Sequence, residues 1–210
     1  MSTIKTNQLA HTANGASVYT LPQTDGSAGQ VLQTNGSGVL SWVTPSSGIT
    51  MADTWRLHTQ YDIPHNSTQV IPTTNWERPD TTNDGFNQLG TGMSVNSSDH
   101  AAGLYTFPST GFYLISYGGY CYNGSNDPYE VFVRMEFTED GSSFGVQAKV
   151  YLSGERYNYN GGFGQMIVDV TNASTQKFRL RVYSAVSDSK LHGETNGSRN
   201  YLTFIRLGDT

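Results

Sequence analysis

The chain has 210 residues and a formal charge of −5, with 36% hydrophobic and 14% charged residues. That suits one sizeable domain plus an appendage, or two small domains. It excludes a disordered chain, which would lack these aromatics and β-branched residues, and a nucleic-acid surface, since no stretch concentrates Lys and Arg. Abundant Gly, Ser, Thr, Asn and Tyr point to a turn-rich β protein, because Gly and Asn serve turns while Tyr and Thr serve strands. Cys121 is the one cysteine, so neither an intrachain disulfide nor a cysteine-built metal site can form within one chain.

Residues 1–50 come first. The opening thirteen residues have no apolar core for a signal peptide, and nothing approaches a membrane span, so membrane insertion and standard export are not expected. Asn-x-Ser/Thr triplets, such as the one at Asn66, are then accidents of composition. A polar turn unit recurs about ten residues apart, at Gln23-Thr24-Asp25-Gly26-Ser27 and Gln33-Thr34-Asn35-Gly36-Ser37. Asp-Gly and Asn-Gly predict type I′ turns, both of whose central positions need positive φ. Short strands are expected at Gln30-Val31-Leu32 and from Val39 to Val43. So few apolar side chains cannot be buried locally, so this segment is expected to lie against something else as an extended arm. Leu21, Val31, Leu32, Leu40 and Trp42 are its candidate docking residues.

The wording of residues 20–43 resembles a segment near the N-termini of tail-fibre and other virion structural proteins of bacteriophages, marine and cyanobacterial phages especially. There a similar Leu-Pro…Asp-Gly…Gly-Gln…Ser-Trp stretch precedes a folded C-terminal domain. The resemblance implies a virion component assembled in the host cytoplasm, with the arm contacting other virion proteins.

Thr44-Pro45-Ser46-Ser47-Gly48 is a linker cluster, and residues 51–210 read as the main domain. Strands are expected at 55–58, 68–72, 103–108 and 112–122. The next stretch, 131–137, places Val131, Val133, Met135 and Phe137 on one face. In 144–152 the inward set is Val146, Ala148, Val150 and Leu152. Strands at 164–170, 177–183 and 201–207 complete the series. Pro64, Pro72 and Pro79 confine their region to edges and loops. About eight to ten strands with no helical stripe predict an all-β fold: an N-terminal extended arm followed by a two-sheet jelly-roll sandwich.

The hairpin carried by Gly103, Tyr105, Phe107, Gly111, Tyr113 and Ile115, the pair at 168–182 and the terminal strand ending at Leu207 together resemble the jelly-roll heads of the complement and tumour-necrosis-factor superfamily. The resemblance covers residues 51–210 and implies a homotrimer packed through one sheet face.

Chemistry is sparse. No metalloprotease helix motif, nucleophile elbow or phosphate-cradling loop occurs, so no enzymatic activity and no cofactor are expected. Glu77 and Asp80 are the nearest thing to a carboxylate pair flanking a glycosidic bond. His58 and His65 bracket Asp62 at spacings that fit neither a helix nor a single strand face, which leaves a metal only to a three-fold axis joining one His from each chain, and the loop at Asn123 to Asp127 lacks the spaced acidic ligands of a regular calcium loop. Recognition falls instead to the loop from Glu155 to Phe163. There Arg156, Tyr157, Asn158 and Tyr159 mix rigid amphipathic rings with adaptable hydrogen-bonding groups. Trp76, in a Pro-bounded loop, is a second candidate for contact with a host-surface glycan or protein. Cys121 reads as a small buried hydrophobe, and Lys177, Arg179 and Arg181 as a solvated cationic strand face that a trimer would allow to pair with Asp169 of an adjacent strand. The sequence thus favours a short tail fibre or receptor-binding component. The alternatives are a capsid decoration protein with no receptor role and, third, a polysaccharide-degrading spike.

Overall fold

The computed structural model describes residues 6–10, 18–45, 48–80, 86–124, 130–153 and 158–210. The chain divides into two compact units, residues 1–48 and 49–210.

In the N-terminal unit, strand β1 (Gln8–Ala10) pairs antiparallel with β2 (Val18–Thr20), and β3 (Val31–Thr34) with β4 (Leu40–Val43). The two repeated turn sequences do different things. Asn35 closes the β3–β4 hairpin through its side chain, whose Oδ1 accepts from Ser37 N at 2.9 Å and Val39 N at 3.2 Å. Gly36 and Gly38 take positive φ of 80° and 83°, while Asn35 does not, so this is a longer side-chain-braced loop rather than the expected type I′ turn. Gly26 makes no hairpin. It passes beneath the Trp42 ring, where a Cβ would come within 2.6 Å of the indole, and Trp42 Nε1 donates to the Thr24 carbonyl at 2.9 Å. The segment is therefore folded over its own tryptophan rather than fully extended.

The C-terminal unit is all-β. Its strands are β5 (Ala52–Leu57), β6 (Tyr61–Asp62), β7 (Ser67–Val70), β8 (Trp76–Glu77), β9 (Gln88–Leu89), β10 (Tyr105–Thr106), β11 (Gly111–Tyr122), β12 (Val131–Thr138), β13 (Phe144–Tyr151), β14 (Tyr159–Val170), β15 (Lys177–Ser184), β16 (Lys190–Leu191) and β17 (Tyr201–Gly208). Among the described residues helix is limited to 3-10 turns at Thr73–Asn75 and Ser97–Asp99. One sheet runs β14–β11–β17–β5, with β8 and β9 pairing β5 and β16 extending the end of β11. The other runs β10–β15–β12–β13. The chain passes from β11 in the first sheet to the β12–β13 hairpin in the second, back to β14, over to β15 and back to β17, crossings that suit a jelly roll.

Period-two alternation builds the core. Tyr113, Ile115, Tyr117 and Cys121 of β11 face Val131, Val133, Met135 and Phe137 of β12 and Phe178, Leu180 and Val182 of β15. Tyr105 sits among Trp55, Phe178 and Phe204 at centroid distances of 5.4, 6.2 and 5.5 Å. Each such buried side chain contributes on the order of 1.5–3 kcal/mol. Gly111 opens β11 at φ 137°, against the Gly208 carbonyl, where a side chain would be both strained and obstructed.

One inward assignment fails. Between Met135 and Glu136 the β12–β13 register slips, so Ala148 pairs with Met135 but Val146 with Glu136. The extra residue of this bulge turns Val146 outward, 43% exposed, while Val150 and Leu152 stay inside.

Candidate functional site

The outward face of the first sheet collects the largest exposed side chains of the C-terminal unit, and register arranges them in rows. Leu114 lies between Ile167 and Ile205, an aliphatic row. Ser116 between Gln165 and Thr203 makes a polar row, and Gly118 between Phe163 and Tyr201 an aromatic one. The Tyr201 ring lies over Gly118, where a Cβ would come within 2.5 Å of its hydroxyl oxygen. Ile167 and Phe163 are 63% and 61% exposed, although the strand carrying them is central in sequence and regular in pairing. Such a stripe is unusual on a surface that stays in water.

At one end of this face stands an aromatic cluster. Tyr159, the first residue of β14, lies 5.4 Å from the Tyr120 ring, 5.6 Å from Tyr122 and 5.1 Å from His192, centroid to centroid. Arg199 Nη1 donates to the Tyr120 hydroxyl at 2.7 Å, and its Nε pairs with Glu194. These contacts, the Tyr120 hydroxyl foremost, hold the Arg199 guanidinium above its usual pKa. The loop bearing Arg199 is pinned by buried Asn200. Its Nδ2 donates to the carbonyls of Tyr120 (2.9 Å) and His192 (3.0 Å), and its Oδ1 accepts from Tyr117 at 2.6 Å. Burial raises the Tyr117 pKa well above the usual phenol range, so that hydroxyl stays a donor.

Of the residues proposed for host contact, Tyr159 and Asn158 are exposed, with Tyr159 on a strand rather than a loop. Arg156 and Tyr157 lie outside the described residues. Trp76 is corrected: it is 4% exposed, because the short strand β8 pairs Trp76 with Leu57 and turns the indole into the core. In the N-terminal unit Val31 and Leu32 are exposed, whereas Leu21, Leu40 and Trp42 are half-buried.

The carboxylate pair has another task. Glu77 and Asp80 both accept from Arg56, each at 2.9 Å, and the Arg56 side chain is fully buried. His58 and His65 each donate to a backbone carbonyl, of Thr74 and Ala185. Among the described residues no three His, Cys, Asp or Glu side chains converge. Within the single chain Asp169 lies on the first sheet, and Arg179 of the second pairs with Glu136 at 2.8 Å. The calcium-like loop lies outside the described residues beyond Gly124. Cys121 is buried as expected, its thiol pushed up to about 12 by burial and donating towards Asn123 and the Leu152 carbonyl.

The partners of Tyr159 are not legible as a group in the sequence, where Tyr117, Tyr120 and Tyr122 stand close together in one strand. Alternation does separate them partly, because buried Tyr117 and half-buried Tyr120 differ in parity. His192 and Arg199 carry no such signal.

No family model matches the chain, and no curated protein does. Solved structures do. The Eiger TNF of S. frugiperda is similar at 15% identity over 78% of this chain and 96% of that one, with a TM-score of 0.55. Murine APRIL, crystallised at pH 5.0, is similar at 10% identity over 75% of this chain and 98% of that one, with a TM-score of 0.53. At these identities the likeness is one of fold, and the C-terminal unit has a tumour-necrosis-factor-like jelly roll.

Proposed function

We propose that this chain is a phage virion component, a short tail fibre or receptor-binding protein. Its N-terminal unit attaches to other virion proteins, and its C-terminal unit associates as a homotrimer that meets the host surface. The observation that carries this reading is the outward face of the first sheet. Five large apolar or aromatic side chains there, Phe112, Tyr159, Phe163, Ile167 and Leu207, are between 39% and 63% exposed in the single chain. Covering them with further copies of the same face removes that surface from water, at about 25 cal/mol per Å² before the cost of association. The virion assignment rests on the resemblance of residues 20–43. It is supported by the N-terminal unit, which exposes Leu9, Val18, Tyr19, Val31 and Leu32 on strands too few to bury them. The role we propose is adhesion, three weak sites acting by avidity.

The test is the solution mass of the full-length protein and of residues 49–210, by light scattering. A trimer from both supports the reading. A monomeric C-terminal unit removes the sheet-face association and the avidity argument together. A decoration role without receptor contact is the outcome if the trimer forms but fails to adsorb to host cells.

A further inference from the structure

The second sheet also has an outward face, and its chemistry is different. Register places Lys149 of β13, Arg134 of β12 and Arg181 of β15 directly side by side. The next row holds Val146, Glu136 and Arg179, and the one beyond it Phe144, Thr138 and Lys177. Five cations (Lys149, Arg134, Arg181, Arg179 and Lys177) thus share one face, out of only 12 in the chain. Glu136 is the single carboxylate in those rows. It is nearly buried and is used by Arg179 at 2.8 Å, with Arg181 at 4.0 Å.

Like charges directly opposite across strands destabilise a sheet. A protein of net charge −5 has acidic residues to spare, yet none stands in the Lys149–Arg134–Arg181 row. Among the described residues Arg134 and Lys149 make ring contacts but no ion pair: both lie over Phe132, at 5.2 and 4.9 Å from its centroid. Arg181 spends one terminal nitrogen on the Thr68 carbonyl at 2.7 Å. The Nε groups of Arg134 and Arg181 are covered and have no acceptor. Arg134 and Lys149 are thus held by packing rather than neutralised, and Arg181 only shares Glu136 with Arg179.

We infer that this face binds a linear acidic polysaccharide of the cell surface, its carboxylate or sulfate groups lying along the Lys149–Arg134–Arg181 row. The inference deepens the host-contact reading and rests on it for its setting. Strands about 4.8 Å apart put the three cations across about 10 Å, a scale on which the rings of a sugar chain repeat. A nucleic acid fits less well. The Phe132 ring is already stacked on Tyr183, centroids 5.1 Å apart, and carries the two cations, so Tyr151 is the one well-exposed ring beside it, where a single strand needs a series of rings for successive bases. Tyr151, half-exposed in the neighbouring row beside Phe132, offers an edge and a hydroxyl suited to a sugar.

The experiment measures binding of the full-length protein to immobilised polygalacturonate at about 10 mM and about 1 M salt, where screening lengths are roughly 30 and 3 Å. Neutral dextran and a single-stranded oligonucleotide serve as comparators. The expected result is retention on polygalacturonate at low salt and release at high salt. R134Q/R181Q/K149Q should weaken binding at least about tenfold and K149Q, on an exposed edge strand, about two- to threefold; thermal melts of each variant confirm folding. Unchanged binding by folded K149Q and by the triple variant overturns the site. Equal binding to dextran overturns its ionic basis, and equal or tighter binding of the oligonucleotide overturns the sugar assignment. Light scattering on the same samples separates the two readings. A trimer that ignores polygalacturonate ends this inference only, and a monomer that binds it ends only the trimer.

Discussion

At the scale of single residues, the most consequential side chain is Asp53, wholly buried on β5. Its carboxylate accepts from Trp55 Nε1 at 2.9 Å, from Arg78 at 2.7 and 2.9 Å and from Met93 N at 2.6 Å. All its neighbours are donors, so D53N sets an amide N–H against them and leaves Arg78 without its counter-charge. Arg78 is partly exposed, which moderates the loss, and the expected cost is about 3 kcal/mol, or roughly 6–12 °C in Tm. An unchanged melt would show the network to be dispensable. Asp140 works at the surface. The backbone N–H groups of Ser143 and Ser142, at 2.7 and 2.8 Å, and the Thr138 hydroxyl hold its carboxyl well below the usual aspartate range. A lowered folded-state pKa means stability present above the unfolded value, about 3.9, and lost as pH falls towards the folded one. D140A should therefore lack the part of the acid-induced loss below about pH 4 that the native protein shows in melts across pH.

At the scale of elements, β14 carries the argument for association. Its inward residues Met166, Val168 and Val170 pack the core, and its alternate residues Phe163 and Ile167 face away. Substituting an outward residue leaves the core intact, so I167E should fold with a near-native melt yet scatter light as a monomer. A trimeric I167E would move the interface elsewhere. Alternation made the long strands from β11 to β17 legible, because a pattern of period two needs only the strand's own residues. The short strands β6, β8, β9 and β16, of two residues each, have no period to read. That is why Trp76, flanked by prolines, read as a loop tip and proved to be core. The bulge at Glu136 was equally illegible, since one inserted residue leaves the apolar spacing of β13 unchanged while turning Val146 outward.

At the scale of the whole molecule, the C-terminal unit offers two faces of opposite character. One, on the first sheet, is apolar; the other, on the second sheet, is cationic. A trimer built on the first face presents the second three times, and three weak sites gain about 10²–10⁴ in avidity over one. Adsorption of I167E to host cells should fall by a factor in that range if host contact is trivalent; adsorption equal to the native protein would end the avidity argument.

The amino-acid sequence by itself determined the all-β class, the long strands apart from the first half of β14, their inward residues apart from Val146, and the burial of Cys121, since each follows from composition or from alternation within a few neighbouring residues. Only the tertiary structure decided which strands are neighbours. It therefore decided that Lys149, Arg134 and Arg181 form one row, that Tyr159 meets Tyr120, Tyr122 and His192, and that Glu77 and Asp80 serve Arg56. The physical reason is that a side chain's face is set locally by the pleat, whereas its cross-strand partner is set by the register of segments tens of residues apart.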